Sequence, residues 1–267
     1  MNFNEKRIIY RDIDLIVAVK PAGMPVLPDK LGTKSFQDYI LEQIEDENCS
    51  TNAIKYNTSI TSILSLSAVN RLDRPVGGLV LFALSPEAKA WFSKPDSCME
   101  KSYKVIVKGL FPADTGEVMN FLVHDEKKNM SRIVPEKIGR AKRASLSYKV
   151  IAEKCEPDLS LAEIQLHTGR HHQIRVQLSA LGCQVWGDRK YSQQPIREKS
   201  YTCADLSPNR SVSSHSIKME KSEKTPKFPA LFSSKLSFYL PGKKDALKVF
   251  EADPFTWEPF IFPVDFL

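Results

Sequence analysis

Apolar residues in this chain alternate, or run in short blocks, more often than they recur at helical spacing. Residues 7–19 predict two short strands around the polar turn Arg11–Asp14, with Leu15–Val19 as the buried one. Two prolines and a glycine make Lys20–Pro25 a loop. Ser35 suits the N-cap of a helix running to about Ile44, with Phe36, Tyr39, Ile40 and Ile44 on one side. Residues 45–62 are polar and read as a surface excursion. Leu79–Leu84 predicts a buried strand, and Ser85-Pro86-Glu87 opens a short helix. From Lys101 to Gly109 the pattern alternates, with Lys101, Tyr103, Val105 and Val107 sharing one face and Lys104, Ile106 and Lys108 the other.

Residues 111–140 read as loop and hairpin with a basic tint, and residues 145–151 and 159–166 as an antiparallel pair. Leu166–Gly182 is a strand end, a glycine turn and a helix, with Ile174, Leu178 and Leu181 as its stripe and Gly182 as its stop. Residues 230–240 and 247–251 supply the last strands. Strands dominate and the few helices are unevenly placed. The expected class is α+β, a mixed, mainly antiparallel central sheet with peripheral helices and loops. One domain over residues 1–267 is expected. It carries a flexible insertion at about 192–227, where eight serines fall between Ser192 and Ser222 with hardly an apolar residue.

Composition narrows this picture. Lys and Arg outnumber Asp and Glu by 38 to 32, a net charge of +6 compatible with a polyanionic partner. Cys49, Cys98, Cys155, Cys183 and Cys203 are odd in number and form no close pair. That spacing favours a reducing compartment over a disulfide framework or a zinc site. No apolar run is long enough to span a membrane, and Met1–Arg7 lacks the apolar stretch of a signal peptide. A cytoplasmic protein is expected, with a monomer as the default.

Two segments carry chemistry. In Val69-Asn-Arg-Leu-Asp-Arg-Pro-Val-Gly-Gly78, a single carboxylate, Asp73, stands between Arg71 and Arg74 in a Pro/Gly turn ahead of a buried strand. Flanking cations favour the charged form, so Asp73 suits a nucleophile or base. Taken alone, the stretch reads first as a surface Arg–Asp pair before a core strand, since most charged clusters are solvated structure. In the second segment Arg175 sits on the flank of the helix stripe, suited to pair with a carboxylate, with solvent exposure as the plain alternative. His167, His171 and His172 invite a metal reading. Gly169 breaks the helix such a site would need, no acidic residue stands beside them in sequence, and Arg170, Arg175 and Arg189 would repel a cation. Contacts to phosphate or to a base edge suit these histidines and Arg170 better, and no metal is expected.

These segments together resemble the RluA-type pseudouridine synthases. Asn70-Arg-Leu-Asp73…Gly78-Leu-Val-Leu-Phe-Ala83, Lys101-Ser-Tyr103…Gly109 and Leu166-His-Thr-Gly-Arg170-His-His-Gln-Ile-Arg175-Val-Gln-Leu178 follow the family's three motifs in order. Lys20–Gly23, and Gly187-Asp188 followed by Tyr191, also fit. Asn70 replaces the family's histidine, and Val76-Gly77 its Thr-Ser pair. An N-terminal RNA-binding module that many relatives carry is not expected here.

The resemblance implies that a uridine in structured RNA, ribosomal or transfer, becomes pseudouridine without a cofactor, in an RNA cleft across the sheet. It implies Asp73 as the group that attacks the sugar or takes a sugar proton, and Arg175 as its ionic partner. Tyr103 would stack on the uracil and Ile174 would wall the pocket. Arg71 would fill the stack left by the flipped base, while Lys101, Arg170 and His172 would join the substrate contacts. A non-catalytic RNA-binding protein retaining this fold is the alternative. A metal-assisted hydrolase built on the histidines is disfavoured by the missing acidic ligands.

Overall fold

The structure, a computed structural model, describes residues 7–29, 32–50, 66–155, 158–192 and 225–254. These fall into two compact units, one from the stretches up to Glu100 and from Ser233 onward, the other from Lys101–Phe232.

The first unit holds β1 (Ile8–Arg11), β2 (Leu15–Lys20), β3 (Ser67–Ala68), β4 (Gly77–Ala83) and two helices, α1 (Phe36–Ser50) and α2 (Pro86–Trp91). Most of β11 (Leu231–Leu240) and all of β12 (Lys243–Glu251) complete it. Strand order is β1-β2-β4-β11, with β12 beyond β11 and β3 on β4. The β1–β2, β2–β4, β3–β4 and β11–β12 pairs are antiparallel. Every residue of β2 and β4 is buried, as their uninterrupted apolar runs require. Helix α1 starts where expected, since the Ser35 hydroxyl accepts from the Asp38 amide at 3.2 Å and donates to its carboxylate at 2.8 Å. Phe36, Ile40 and Ile44 are fully buried, each stabilising by about 1.5–3 kcal/mol. The helix runs to Ser50 and so claims residues 45–50 from the expected excursion. Residues 51–62 lie outside the described residues.

The second unit holds β5 (Glu100–Lys108), β6 (Thr115–Asp125), β7 (Met130–Val134), β8 (Lys142–Cys155), β9 (Asp158–Leu166), α3 (Gln173–Ala180) and β10 (Gln184–Val185). Strand order is β5-β9-β8-β6-β7, with β10 on β5. Those pairs are antiparallel. Residues 111–140 are more regular than expected, because β6 is an 11-residue strand rather than loop. Its pattern hid this, for Leu122 is its one buried residue, Val118, Phe121 and Val123 are only partly covered, and Met119 is exposed. The β8–β9 register slips at Ile151, a bulge that leaves this side chain 46% exposed. Helix α3 packs on the β6–β7–β8 ribbon, with Leu122, Ala144, Val176 and Tyr191 forming the cluster between them. The greater part of the serine-rich insertion, 193–224, lies outside the described residues.

Among the described residues no helix is long and apolar enough to cross a membrane. The architecture is the α+β arrangement expected.

Candidate active site

In the first unit the Asp73 turn is fixed from three directions. Asn70 is buried against the edge of β4, where its side-chain amide donates to the Leu79 carbonyl at 3.1 Å and accepts from the Leu81 amide at 2.7 Å. The Val69 amide adds a bond to the Leu81 carbonyl at 2.8 Å. Leu72 and Val76 are buried on either side of Asp73, and the Val76 amide donates to the Asp73 carbonyl at 2.9 Å. Gly78, at φ +119°, closes the turn beside Ser233, and a Cβ there would stand 2.5 Å from the Ser233 amide nitrogen. The result is a half-buried Asp73 between exposed Arg71 and Arg74.

The loop after β2 is laced to the same turn. Lys20 is fully buried, and its ammonium donates to the carbonyls of Met24 at 2.7 Å, Pro21 at 2.9 Å and Arg74 at 3.3 Å. The Gly23 amide donates to the Arg74 carbonyl at 2.8 Å, and Arg74 Nε returns a bond to the Gly23 carbonyl at 3.0 Å. Arg74 Nη1 also meets Asp29 at 3.4 Å. Burial pulls the Lys20 ammonium down to a pKa of about 7; the Asp73 charge opposes the shift and the Arg74 charge adds to it. Lys20 is therefore close enough to sense Asp73 electrostatically.

The second unit places Arg175 in α3, 4% exposed, so that solvent exposure, the plain alternative for this side chain, does not hold. All of Gln173–Ser179 is buried because both the ribbon and the 181–191 segment pack on this helix. Arg175 Nε and Nη2 donate to the two Asp188 oxygens at 2.7 and 2.8 Å, a bidentate pair with both side chains at most 4% exposed. Asp188 Oδ1 also accepts from the Lys190 amide at 2.9 Å. An acidic residue thus does reach this segment, from 13 positions downstream.

His172 N-caps α3 at φ +54° and is buried. Its Nδ1 stands 2.8 Å from the Tyr191 hydroxyl, which accepts from the Ser131 amide at 2.9 Å. Burial first, then the charge of Arg175, pushes the His172 pKa down to about 2, so the ring stays neutral. Ile174 is buried. Arg170 is exposed, its Nε on the Arg143 carbonyl at 3.0 Å while its amide donates to Gln173 Oε1 at 3.0 Å. On β5, Tyr103 is 6% exposed, more deeply set than the neighbouring lysine suggests, and burial lowers the Lys101 pKa.

The expected residues thus separate into Arg71 and Asp73 in one unit, and Lys101, Tyr103, Arg170, His172, Ile174 and Arg175 in the other. Lys20, Asn70, Asp188 and Tyr191 emerge as the residues that fix their surroundings. A lysine ending an all-apolar strand, and an aspartate between Gly187 and Arg189, were the available signals. Among the described residues no group of His, Cys, Asp and Glu is arranged to hold a metal ion.

Comparison with known proteins agrees with this organisation. Residues 14–180 match the family model described as RNA pseudouridylate synthase. An RNA pseudouridine synthase of Aquifex aeolicus is 31% identical over 187 residues, covering 69% of this chain and 55% of that protein. The ribosomal large subunit pseudouridine synthase D of Zymomonas mobilis is 30% identical over 191 residues, covering 69% of this chain and 55% of its own length. The ribosomal large subunit pseudouridine synthase C of Rickettsia bellii is 30% identical over 192 residues, covering 71% and 58%. The chain therefore spans little more than half the length of these relatives. Human RNA pseudouridylate synthase domain containing 4 has the same fold, with a TM-score of 0.63 at 21% identity over 92% of this chain and 88% of that one. Human RNA pseudouridylate synthase domain containing 1 also scores 0.63, at 17% identity over 96% and 86%. With its motif-bearing segments inside the matched region, this chain belongs to the RNA pseudouridylate synthase family.

Proposed function

We infer that this protein isomerises a uridine in structured RNA to pseudouridine, with Asp73 as the reacting carboxylate. The observation that carries this reading is the turn itself, which holds one half-buried carboxylate between two exposed arginines with bonds from buried Lys20 and Asn70. A turn whose backbone is held this firmly fixes where its carboxylate emerges, which a solvated surface pair does not require.

The chemistry is an internal exchange of bonds. The N1–C1′ bond of uridine breaks, the uracil turns, and C5 bonds to C1′. The proton on C5 is then lost to solvent, N1 takes one up, and the product is an isomer of the substrate. Asp73 attacks C1′ or takes the C2′ proton. In either case its carboxylate must be charged when substrate arrives, and Arg175, already oriented by Asp188, supplies the ionic partner. Tyr103 and Ile174 contact the uracil. Lys101, Arg170 and His172 contact the surrounding nucleotide.

A stacked uridine is out of reach, so it is flipped out at a cost of about a few kcal/mol, and Arg71 fills the space it leaves. Net charge of +6 favours phosphate contacts and a salt-dependent affinity. The relatives named as ribosomal large subunit synthases support ribosomal RNA as the substrate class, with transfer RNA as the second candidate. RNA tritiated at uridine C5 tests the reading. Release of tritium in the presence of EDTA supports it, and no release from either ribosomal or transfer RNA contradicts it.

A further inference from the structure

Three imidazoles stack in a column on the second unit. His171 and His172 have ring centroids 3.7 Å apart and tilted by 26°. His124, from the end of β6, lies 3.9 Å from His171 at 35°. The inner end is anchored. His172 is buried edge-on to Tyr191, with centroids 5.6 Å apart at 89°, and the Arg175 guanidinium sits 5.2 Å from the Tyr191 ring centroid. Ser131, opposite His124 in the β6–β7 register, fixes the middle ring by bonds to His171 Nδ1 at 3.0 Å and to its carbonyl at 2.6 Å. The outer ring, His124, is exposed.

We propose that the exposed His124 ring is a stacking platform for an unpaired nucleobase of the RNA, set at the base of the β6–β7 hairpin. The packing of α3 on the ribbon is already made by Leu122, Ala144, Val176 and Tyr191, so burial does not explain an aromatic column that ends in solvent. A column of flat rings held at both Ser131 and Tyr191 offers a pre-oriented surface that a base can extend, and histidine is among the side chains on which unpaired bases stack. The neighbourhood suits a polyanion. Lys190 donates to the Asn129 carbonyl at the hairpin tip, and Lys127 and Lys128 flank the same tip. Asp125 and Glu126 stand there too, but Asp125 is engaged in closing the turn by accepting from the Lys128 amide.

The platform rests on the RNA reading above, and its test separates the two. Anisotropy measures binding of a labelled single-stranded uridine dodecamer and of an abasic ribose oligomer of the same length. Wild-type protein should prefer the base-bearing oligomer. His124→Ala should lose about tenfold in affinity for it and nothing for the abasic one, while His124→Trp restores binding. Equal losses on both oligomers, or no loss on either, overturn the platform. Wild-type tritium release from ribosomal RNA is measured alongside. Turnover with an indifferent His124→Ala refutes the platform alone, whereas neither turnover nor RNA binding in wild type refutes the RNA reading and the platform with it.

Discussion

The Asp73 turn and the Arg175 helix each place a charged side chain, by opposite means. Around Asp73 the clamps act through the main chain. Lys20 gathers three carbonyls, Asn70 spans the edge of β4, and Gly78 lets β4 and the Ser233 backbone approach closely. Arg175 is instead held side chain to side chain, by the two oxygens of one buried aspartate. A clamp on the backbone fixes where the chain runs, and the Asn70 amide makes it here by bonding both a carbonyl and an amide of β4. A clamp on one side chain fixes its orientation directly, through the geometry of the bidentate pair.

That contrast can be broken most strongly at Asp188. Asp188→Ala leaves a buried guanidinium without its bidentate partner and should cost about 3–5 kcal/mol of stability, read by urea denaturation. Gly78→Ala comes next, at about 3 kcal/mol, because it adds a contact with Ser233 to an unfavourable φ, and the same titration measures it. Lys20→Met should separate activity from folding. Loosening the turn by even about 1 Å lowers kcat roughly a hundredfold with KM little changed.

The remaining tests are in pH, and the two regions occupy different windows. Lys20 has a folded pKa of about 7 against 10.5, so between those values the unfolded chain binds the extra proton and stability rises with pH. His172, at about 2 against 6.5, contributes stability present above pH 6.5 and lost progressively as pH falls toward 2. Thermal melts from pH 7 to 5 should therefore fall more steeply for wild type than for His172→Asn. Melts from pH 7.5 to 10 should lose their rise in Lys20→Met. Parallel curves for variant and wild type would remove the assignment concerned.

Much of this was legible in the sequence because local patterns carry it. The apolar blocks at Leu15–Val19 and Leu79–Ala83 are buried strands, and Ser35 and Ser85 cap helices as their side chains dictate. The family motifs located the segments around Asp73 and Arg175. What could not be read was set by partners distant in sequence. Asp188 reaches Arg175 only after the chain turns back through β10, and Lys20 is buried because the loop from Pro21 to Met24 and Arg74 turn their carbonyls toward it. His124 lies 47 positions before His171, on a strand whose mixed pattern read as loop, so no local spacing joined the three rings.

The proposed chemistry stands on the side chain of Asp73 as the reacting group. It is tested most directly by C5 tritium release from uridine-labelled ribosomal RNA, comparing wild type with Asp73→Asn at equal RNA occupancy. Wild type should release tritium and the variant none, with RNA binding retained. Continued turnover by Asp73→Asn would contradict it.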